Sequence, residues 1–318
     1  MAGKENLLPA PLISVVIPAY NEEGVLQHSI PKIVECLLLI DEVRLLQDAY
    51  EVLVINDGSA DGTELEASNL AKKIRGIRLI TLTQNAGHMR ALEIGLLNAR
   101  GKYIVSLDAD LQDPPEYIPR LYKTIKELGV DCVQTVRTDR SSDSFLKRNS
   151  AAFFYWTFRK IIGVEIIPHA ADFRILTELA RDKILQVNDK DKVFRFLIPI
   201  LRITTTILPI HRDKRVSGAS KYHFRAMAKL ATYSILNYTP LLKRMSLGFF
   251  VFSIFGAFLT FGFSERMDTR DPTIFFIVPQ VWLIILFSLA ALISLVLFSL
   301  DKYMARKKRP PFSYTEVV

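Results

Sequence analysis

Cysteine is scarce in this chain, and its scarcity excludes several classes. Cys36 and Cys132 are the only two in 318 residues. They are too few for a disulfide framework and have no metal-ligand spacing, so a reduced compartment and two core thiols are expected. No GxGxxG occurs, which removes the dinucleotide-binding fingerprint. The net charge is +8, yet neither zinc-finger spacing nor an RNP-like pattern accompanies it, so nucleic acid is not an expected partner. Membrane surfaces and phosphorylated substrates remain as reasons for the basic balance. A secretory signal is also lacking. The first apolar run, Leu12–Ala19, is interrupted by Pro18 and followed by Asn21-Glu22-Glu23 without a small-residue cleavage site, and it reads better as a strand.

What is present is an alternation of strands and helices. Apolar, β-rich runs lie at Ile13–Ile17, Glu51–Ile55, Ile77–Thr81, Tyr103–Leu107 and about Cys132–Val136. Helical patterns lie between them, at about Val25–Leu39, at about Thr63–Ile74, after Asn85-Ala86-Gly87-His88 through about Ala99, and at about Pro115–Leu128. Strands alternating with helices at this spacing predict a mostly parallel sheet. Such sheets bind ligands beyond the carboxyl ends of their strands. Three polar clusters fall there: Tyr20–Glu22, Asn56–Asp61 and Asp108–Gln112. Asp108 and Asp110 are two apart, so on extended backbone both carboxylates aim at one point. That arrangement suits a hard divalent cation, Mg²⁺ or Mn²⁺, that keeps several waters and takes further ligands from substrate phosphates.

The second half changes character. Arg137, Arg140, Lys147, Arg148, Arg159 and Lys160 are interleaved with aromatic residues between 145 and 158. This is either an amphipathic helix with a solvated basic face or a helix at a membrane interface. Arg212–Tyr222 (RDKRVSGASKY) is loop-like, basic and rich in hydroxyls, and such a loop can fold over anionic groups. Residues 223–245 read as amphipathic helices. The 246–264 and 273–300 stretches carry no charge, long enough for a transmembrane hairpin. Lys243 and Arg244 precede it, and Lys302, Arg306, Lys307, Lys308 and Arg309 follow. The positive-inside rule then predicts a multi-pass inner-membrane protein with its catalytic domain (1–222), its basic tail (301–318) and both termini in the cytoplasm.

Taken in order, PAYNEE (Pro18–Glu23), NDGSADGT (Asn56–Thr63), NAGHMRAL (Asn85–Leu92), DADLQDPPE (Asp108–Glu116), ADFR (Ala171–Arg174) and RVSGASKY (Arg215–Tyr222) resemble family-2 glycosyltransferases, in the polyprenyl-phosphate branch. The C-terminal hairpin is similar to the bactoprenol glucosyltransferase architecture. The resemblance implies a GT-A fold and an inverting transfer of a hexose, with UDP-glucose favoured and GDP-mannose the alternative, from a nucleotide sugar to a polyprenyl phosphate. It implies that Pro18, Tyr20, Glu22 and Asp57 hold the nucleoside. Asp108 and Asp110, helped by Gln112, would hold the metal and the diphosphate. Arg137, Arg212, Arg215, Ser217 and Lys221 would meet the acceptor phosphate or the donor diphosphate. Asp172 either acts at the sugar or orients Arg174. Asn56 stands where the family usually has Asp, and His88 carries no assigned role. A processive synthase would bring a QxxRW motif, which is absent. An inactive membrane-anchored scaffold that binds nucleotide sugar is the reading from another class. A short hairpin also gains packing by association with copies of itself, so a homo-oligomer is an expectation.

Overall fold

The computed structural model describes residues 10–46, 49–138, 167–168, 170–187, 192–211, 247–248, 251–252, 255, 286–290, 292–297, 299 and 314–317. The described residues divide into two compact units. The first holds residues 10–211 and 314–317, and the second holds the pieces between 247 and 299.

The first unit is built on the run ISVVIPA, strand β1 (Ile13–Ala19), which is buried along its whole length. A continuous apolar run suits a strand covered on both faces. It pairs in parallel with β2 (Tyr50–Asn56) on one side and β4 (Tyr103–Ser106) on the other, and β2 pairs in parallel with β3 (Ile77–Leu82). The crossovers are α1 (Leu26–Leu38), α3 (Thr63–Lys73) and α4 (His88–Asn98), with a short α2 (Asp41–Leu45) after α1. Helix α1 buries Leu26, Ile30, Ile33, Val34 and Leu37, the spacing of one apolar stripe. Helix α4 approaches β1 at Gly95, where a Cβ would lie 2.1 Å from a Val16 methyl. A turn of 3₁₀ helix at Pro115–Tyr117 leads into α5 (Ile118–Leu128).

Beyond β5 (Cys132–Arg137) the sheet holds elements that the sequence pattern did not show. Strand β6 (Ala170–Thr177) lies between β4 and β5 and runs antiparallel to both. Helices α6 (Glu178–Gln186) and α7 (Phe194–Ile200) follow, then β7 (Thr205–Ile210), parallel to β5. Strand β8 (Tyr314–Val317), from the end of the expected basic tail, pairs antiparallel with β3. The order is β7-β5-β6-β4-β1-β2-β3-β8. The sheet is mostly parallel but mixed, and β6 and β8 are the reversed strands. Reversal matters for function: β6 presents its first residues, not its last, at the edge where the parallel strands end.

Strand ends at the opposite edge are tied by a buried polar lattice. Glu51 accepts hydrogen bonds from the Ser14 hydroxyl at 2.5 Å, the Arg100 amide at 2.7 Å and Arg78 Nη1 at 2.6 Å. The Gly101 amide donates to Ser14 Oγ at 2.7 Å. Burial of both charges is tolerated because each polar atom is paired.

In the second unit, residues 247–248, 251–252, 255, 286–290, 292–297 and 299 are helical. The rings of Phe252 and Phe287 meet at 5.0 Å between centroids, and they come one from each of the two expected spans. Among the described residues no helix is long and apolar enough to cross a membrane. Most of 246–264 and 273–300 lies outside the described residues, as do the basic-aromatic stretch 140–160, the amphipathic segment 223–245 and the tail up to residue 313. Glu51→Ala is expected to cost about 3–5 kcal/mol by leaving Arg78 buried without its partner. Thermal unfolding checks it; an unchanged melting temperature would show that the lattice contributes nothing.

Candidate active site

The parallel strands end together, and their loops are knitted by side-chain-to-backbone hydrogen bonds. Asn21, in left-handed backbone at φ 54°, donates its amide to Ser59 Oγ at 3.0 Å and accepts the Ala60 amide on Oδ1 at 3.0 Å. Thr63 Oγ1 accepts the Glu22 amide at 2.8 Å, and Asp61 Oδ2 accepts the Glu23 amide at 3.2 Å. Glu66 reaches back to the Gly24 amide at 2.6 Å. Much of PAYNEE and NDGSADGT therefore fastens two loops to one another. Pro18 lies within β1, facing β4 beyond the last β1–β4 pair, Val16↔Ser106, so its missing donor costs no ladder bond. Tyr20 projects from the loop and is half exposed.

Asp57, expected at the nucleoside, is buried, and both its oxygens accept backbone amides, Ala86 at 2.7 Å and Gly87 at 2.9 Å. It holds the turn that opens α4. Gly87 sits at φ 90°, backbone that favours glycine. Asn56 Oδ1 caps the turn through the Ser59 amide at 3.1 Å, while its buried Nδ2 has no partner.

Asp108 follows β4 directly. Leu111 turns the chain at φ 49°, and the Gln112 amide donates to Asp110 Oδ1 at 3.1 Å. Asp113 is buried and gripped by both arms of Arg137, at 3.0 and 2.8 Å. Arg137, expected at a phosphate, thus anchors the acidic loop from β5. Glu22 also leans toward this loop rather than standing apart with the nucleoside residues. Burial, then the negative charges of Asp110, Asp108 and Asp61, push its carboxyl up to about 7. Asp108 is pushed up to about 6 by burial, with Asp172, Asp110 and Asp113 adding to it and His88 opposing.

Strand β6 brings in the opposite charge. Asp172 lies near the start of β6, and its backbone oxygen accepts the Ser106 hydroxyl at 2.5 Å. Arg174 Nη2 donates to Asp172 Oδ1 at 2.7 Å, and Arg195 from α7 stands 3.7 Å from Oδ2. Burial raises the Asp172 pKa, but Arg174, Arg195, His88 and Arg137 outweigh burial and hold it below the usual carboxylate value. Asp172 is therefore ionised, and the site pairs one compensated carboxylate with an uncompensated acidic group. His88 Nε2 lies 3.7 Å from Asp108 and 3.8 Å from Asp172. Arg195 and His88 are members of the site whose roles local sequence did not reveal; their partners lie 20 to 84 positions away along the chain. Arg212, Arg215, Ser217 and Lys221 lie outside the described residues.

The acidic group fits a divalent cation. Gln112 Oε1 is a buried acceptor with no partner, on the same turn as the Asp108 and Asp110 carboxylates, whose mutual repulsion His88 opposes in part. Among the described residues no three His, Cys, Asp or Glu side chains converge as a complete ligand set; a hard divalent cation held by few protein ligands takes the rest from substrate phosphates and water.

A pH dependence follows. Glu22 and Asp108 bind a proton more tightly in the fold than in the unfolded chain. Their contribution to metal-free stability is full below the ordinary carboxylate range and is lost as pH rises through 6 and 7. Cation binding needs the ionised forms, so its affinity rises over the same window. Mn²⁺ titrated with UDP is expected to bind about tenfold or more tighter at pH 8 than at pH 5.5. Calorimetry in buffers of different ionisation enthalpy checks the accompanying proton release; a flat profile would contradict it.

Residues 14–184 match the family described as Glycosyl transferase family 2. The bactoprenol glucosyl transferase of Shigella phage SfX is 32% identical over 244 residues, covering 76% of this chain and 78% of that one. The uncharacterized glycosyltransferase YkcC of Bacillus subtilis (strain 168) is 32% identical over 227 residues, covering 71% and 68%. Among solved structures, glucosyl-3-phosphoglycerate synthase from Mycobacterium tuberculosis, in complex with Mn²⁺, UDP-glucose and phosphoglyceric acid, has a TM-score of 0.50 at 19% identity, covering 72% of this chain and 79% of that one. That likeness shows the GT-A fold. With an acidic turn after β4 on a mixed, mostly parallel sheet, and with these relatives spanning most of its length, the chain belongs to glycosyl transferase family 2 and is a glycosyltransferase.

Proposed function

We propose that this glycosyltransferase moves a hexose from a nucleotide sugar, UDP-glucose, to a polyprenyl phosphate at the cytoplasmic face of a membrane, with inversion. The observation that carries the reading is the meeting of two unlike charge environments at one edge: Asp108, Asp110 and Gln112 on the β4 turn, and Asp172 with Arg174 and Arg195 on β6 and α7. The acidic side suits a cation-bound diphosphate, and the β6 side suits the reacting carbon and an anionic acceptor. Relatives named as bactoprenol glucosyl transferases support the acceptor class.

The oxygen of the acceptor phosphate forms the new bond to the anomeric carbon. The bond from that carbon to the donor's β-phosphate oxygen breaks, and its electron pair leaves with the nucleoside diphosphate. A phosphate monoester has a second pKa of about 6, so the acceptor arrives mostly ionised and needs no strong base. Asp172, held ionised by Arg174 and Arg195, faces the positive charge that develops at the anomeric carbon. Asp108, Asp110 and Gln112 would hold Mg²⁺ or Mn²⁺, which neutralises charge on the departing diphosphate. Arg137 keeps the acidic loop in place through Asp113. Arg212, Arg215, Ser217 and Lys221 supply cations and a hydroxyl for the two phosphate groups that must approach one another.

A lipid acceptor has to be met at a bilayer. Leu247, Phe255, Leu292 and Leu295 leave more than half of their surface exposed, as lipid-facing residues would. Strands β7 and β8 belong to one sheet, so the chain between residues 211 and 313 begins and ends on the same side of any membrane it crosses. That supports an even number of crossings, as in a hairpin with both termini cytoplasmic.

Purified full-length protein, Mg²⁺, undecaprenyl phosphate and labelled UDP-glucose are expected to yield label in the lipid fraction. EDTA abolishes the transfer, and Asp110→Ala lowers it by about 100-fold or more. Label that stays with nucleotide for every donor sugar, while UDP binding is retained, would overturn the reading. A reporter fused after Val318 is expected on the cytoplasmic side; exposure on the far side would contradict the hairpin.

A further inference from the structure

His88 opens α4 directly beneath the turn that Asp57 holds. The two amide bonds to Asp57 and the left-handed Gly87 leave the backbone there little freedom. The imidazole is carried to a point 3.7 Å from Asp108 Oδ1 and 3.8 Å from Asp172 Oδ2. Both separations exceed hydrogen-bond range, and among the described residues no side-chain hydrogen bond of His88 is formed. The helix does not use it as a cap either: α4 has Gly87 at its N-cap and no side-chain cap bond. The imidazole is 41% exposed. It is therefore a positioned, accessible ring whose Nε2 faces a gap bounded by two carboxylates.

We propose that His88 is a catalytic residue whose Nε2 hydrogen-bonds a hydroxyl of the transferred sugar in that gap. The inference rests on the reading that Asp108 lies on the diphosphate side and Asp172 on the side of the reacting carbon. What joins those two sides in a sugar nucleotide is the sugar ring itself. The chemistry of the gap also selects a hydroxyl over a phosphate oxygen. A hydroxyl accepts from the imidazole N–H and donates its own proton to a carboxylate. A phosphate oxygen only accepts, and beside the two carboxylates it has no proton to offer either of them. A buried or half-buried hydrogen bond to one hydroxyl discriminates between sugars that differ only at that carbon, so His88 contributes to donor choice as well as rate.

The test uses detergent-purified full-length protein and the variants His88→Ala and His88→Gln. Binding of UDP with Mn²⁺ is measured by calorimetry, and kcat and KM are measured with the nucleotide sugar and with its singly deoxygenated analogues. His88→Ala is expected to keep UDP–Mn²⁺ affinity within about twofold while kcat/KM falls by about 10- to 100-fold. With one deoxy donor, the wild type and His88→Ala become equal within about threefold, because that donor lacks the hydroxyl in question. His88→Gln, which keeps a donor N–H, recovers part of the loss. A parallel loss of UDP–Mn²⁺ binding would overturn the assignment in favour of a diphosphate or structural role. An unchanged kcat/KM, or the same penalty with every deoxy donor, would also overturn it. If wild-type protein binds UDP–Mn²⁺ but transfers no sugar, the proposed reaction fails and this assignment fails with it; wild-type transfer with an unaffected variant refutes His88 alone.

Discussion

Repulsion among Glu22, Asp108 and Asp110 is the constraint on which the catalytic edge depends. Three acidic side chains from the ends of β1 and β4 are brought together in a chain that is basic as a whole. No described cation neutralises the group directly. Arg137 is engaged with Asp113, and Arg174 and Arg195 are turned to Asp172. The loops that carry the acidic group are tied to one another and to the sheet. The ties are the bonds of Asn21, Asp61, Thr63 and Glu66 between the first two loops, and the Asp113–Arg137 fork behind the third. At the far edge, Ser14, Glu51 and Arg78 lock the same strands. The fold thus stores a local electrostatic cost at the position where a cation and a diphosphate can relieve it.

That division of labour explains which residues kept their expected places. Asp108, Asp110 and Gln112 stood out in the sequence because the pattern is local, an apolar strand followed by two carboxylates two residues apart, and the structure sets all three on the turn after β4. Asp57 lies in the NDGSADGT motif and Arg137 at the end of β5, where the basic stretch begins, yet their partners are distant backbone amides and a buried aspartate, and no local pattern announces those. Asn56, Glu23 and Asp61 are likewise polar residues at a ligand edge that serve the loops. The motif tells which loops surround the substrate, and the structure tells which side chains are free to touch it.

Strands β1 to β5 were readable as short apolar, β-rich runs alternating with helical patterns. The later strands were not, each for a physical reason. Strand β6, AADFRILT, carries Asp172 and Arg174 in a central position, and such charges argue against a core strand until their ion pair is seen. Strand β7, TTILPI, contains Pro209, which is tolerated because β7 is the edge of the sheet. Strand β8 is four residues long and follows a stretch rich in Lys, Arg and Pro. Strand β6 delivers the ionised aspartate, β7 is followed along the chain by the basic stretch 212–222, and β8 returns the chain to the same sheet.

The most direct measurement is the position of Mn²⁺ in crystals of the protein grown with UDP, read from anomalous scattering. The opposed-charge arrangement predicts one strong peak bridging Asp108 or Asp110 and the diphosphate oxygens, at about 2.0–2.3 Å from its protein ligands. Asp172 stays paired with Arg174 and outside the coordination shell. A peak coordinated by Asp172, or a diphosphate bound with no metal at the β4 turn, would contradict it.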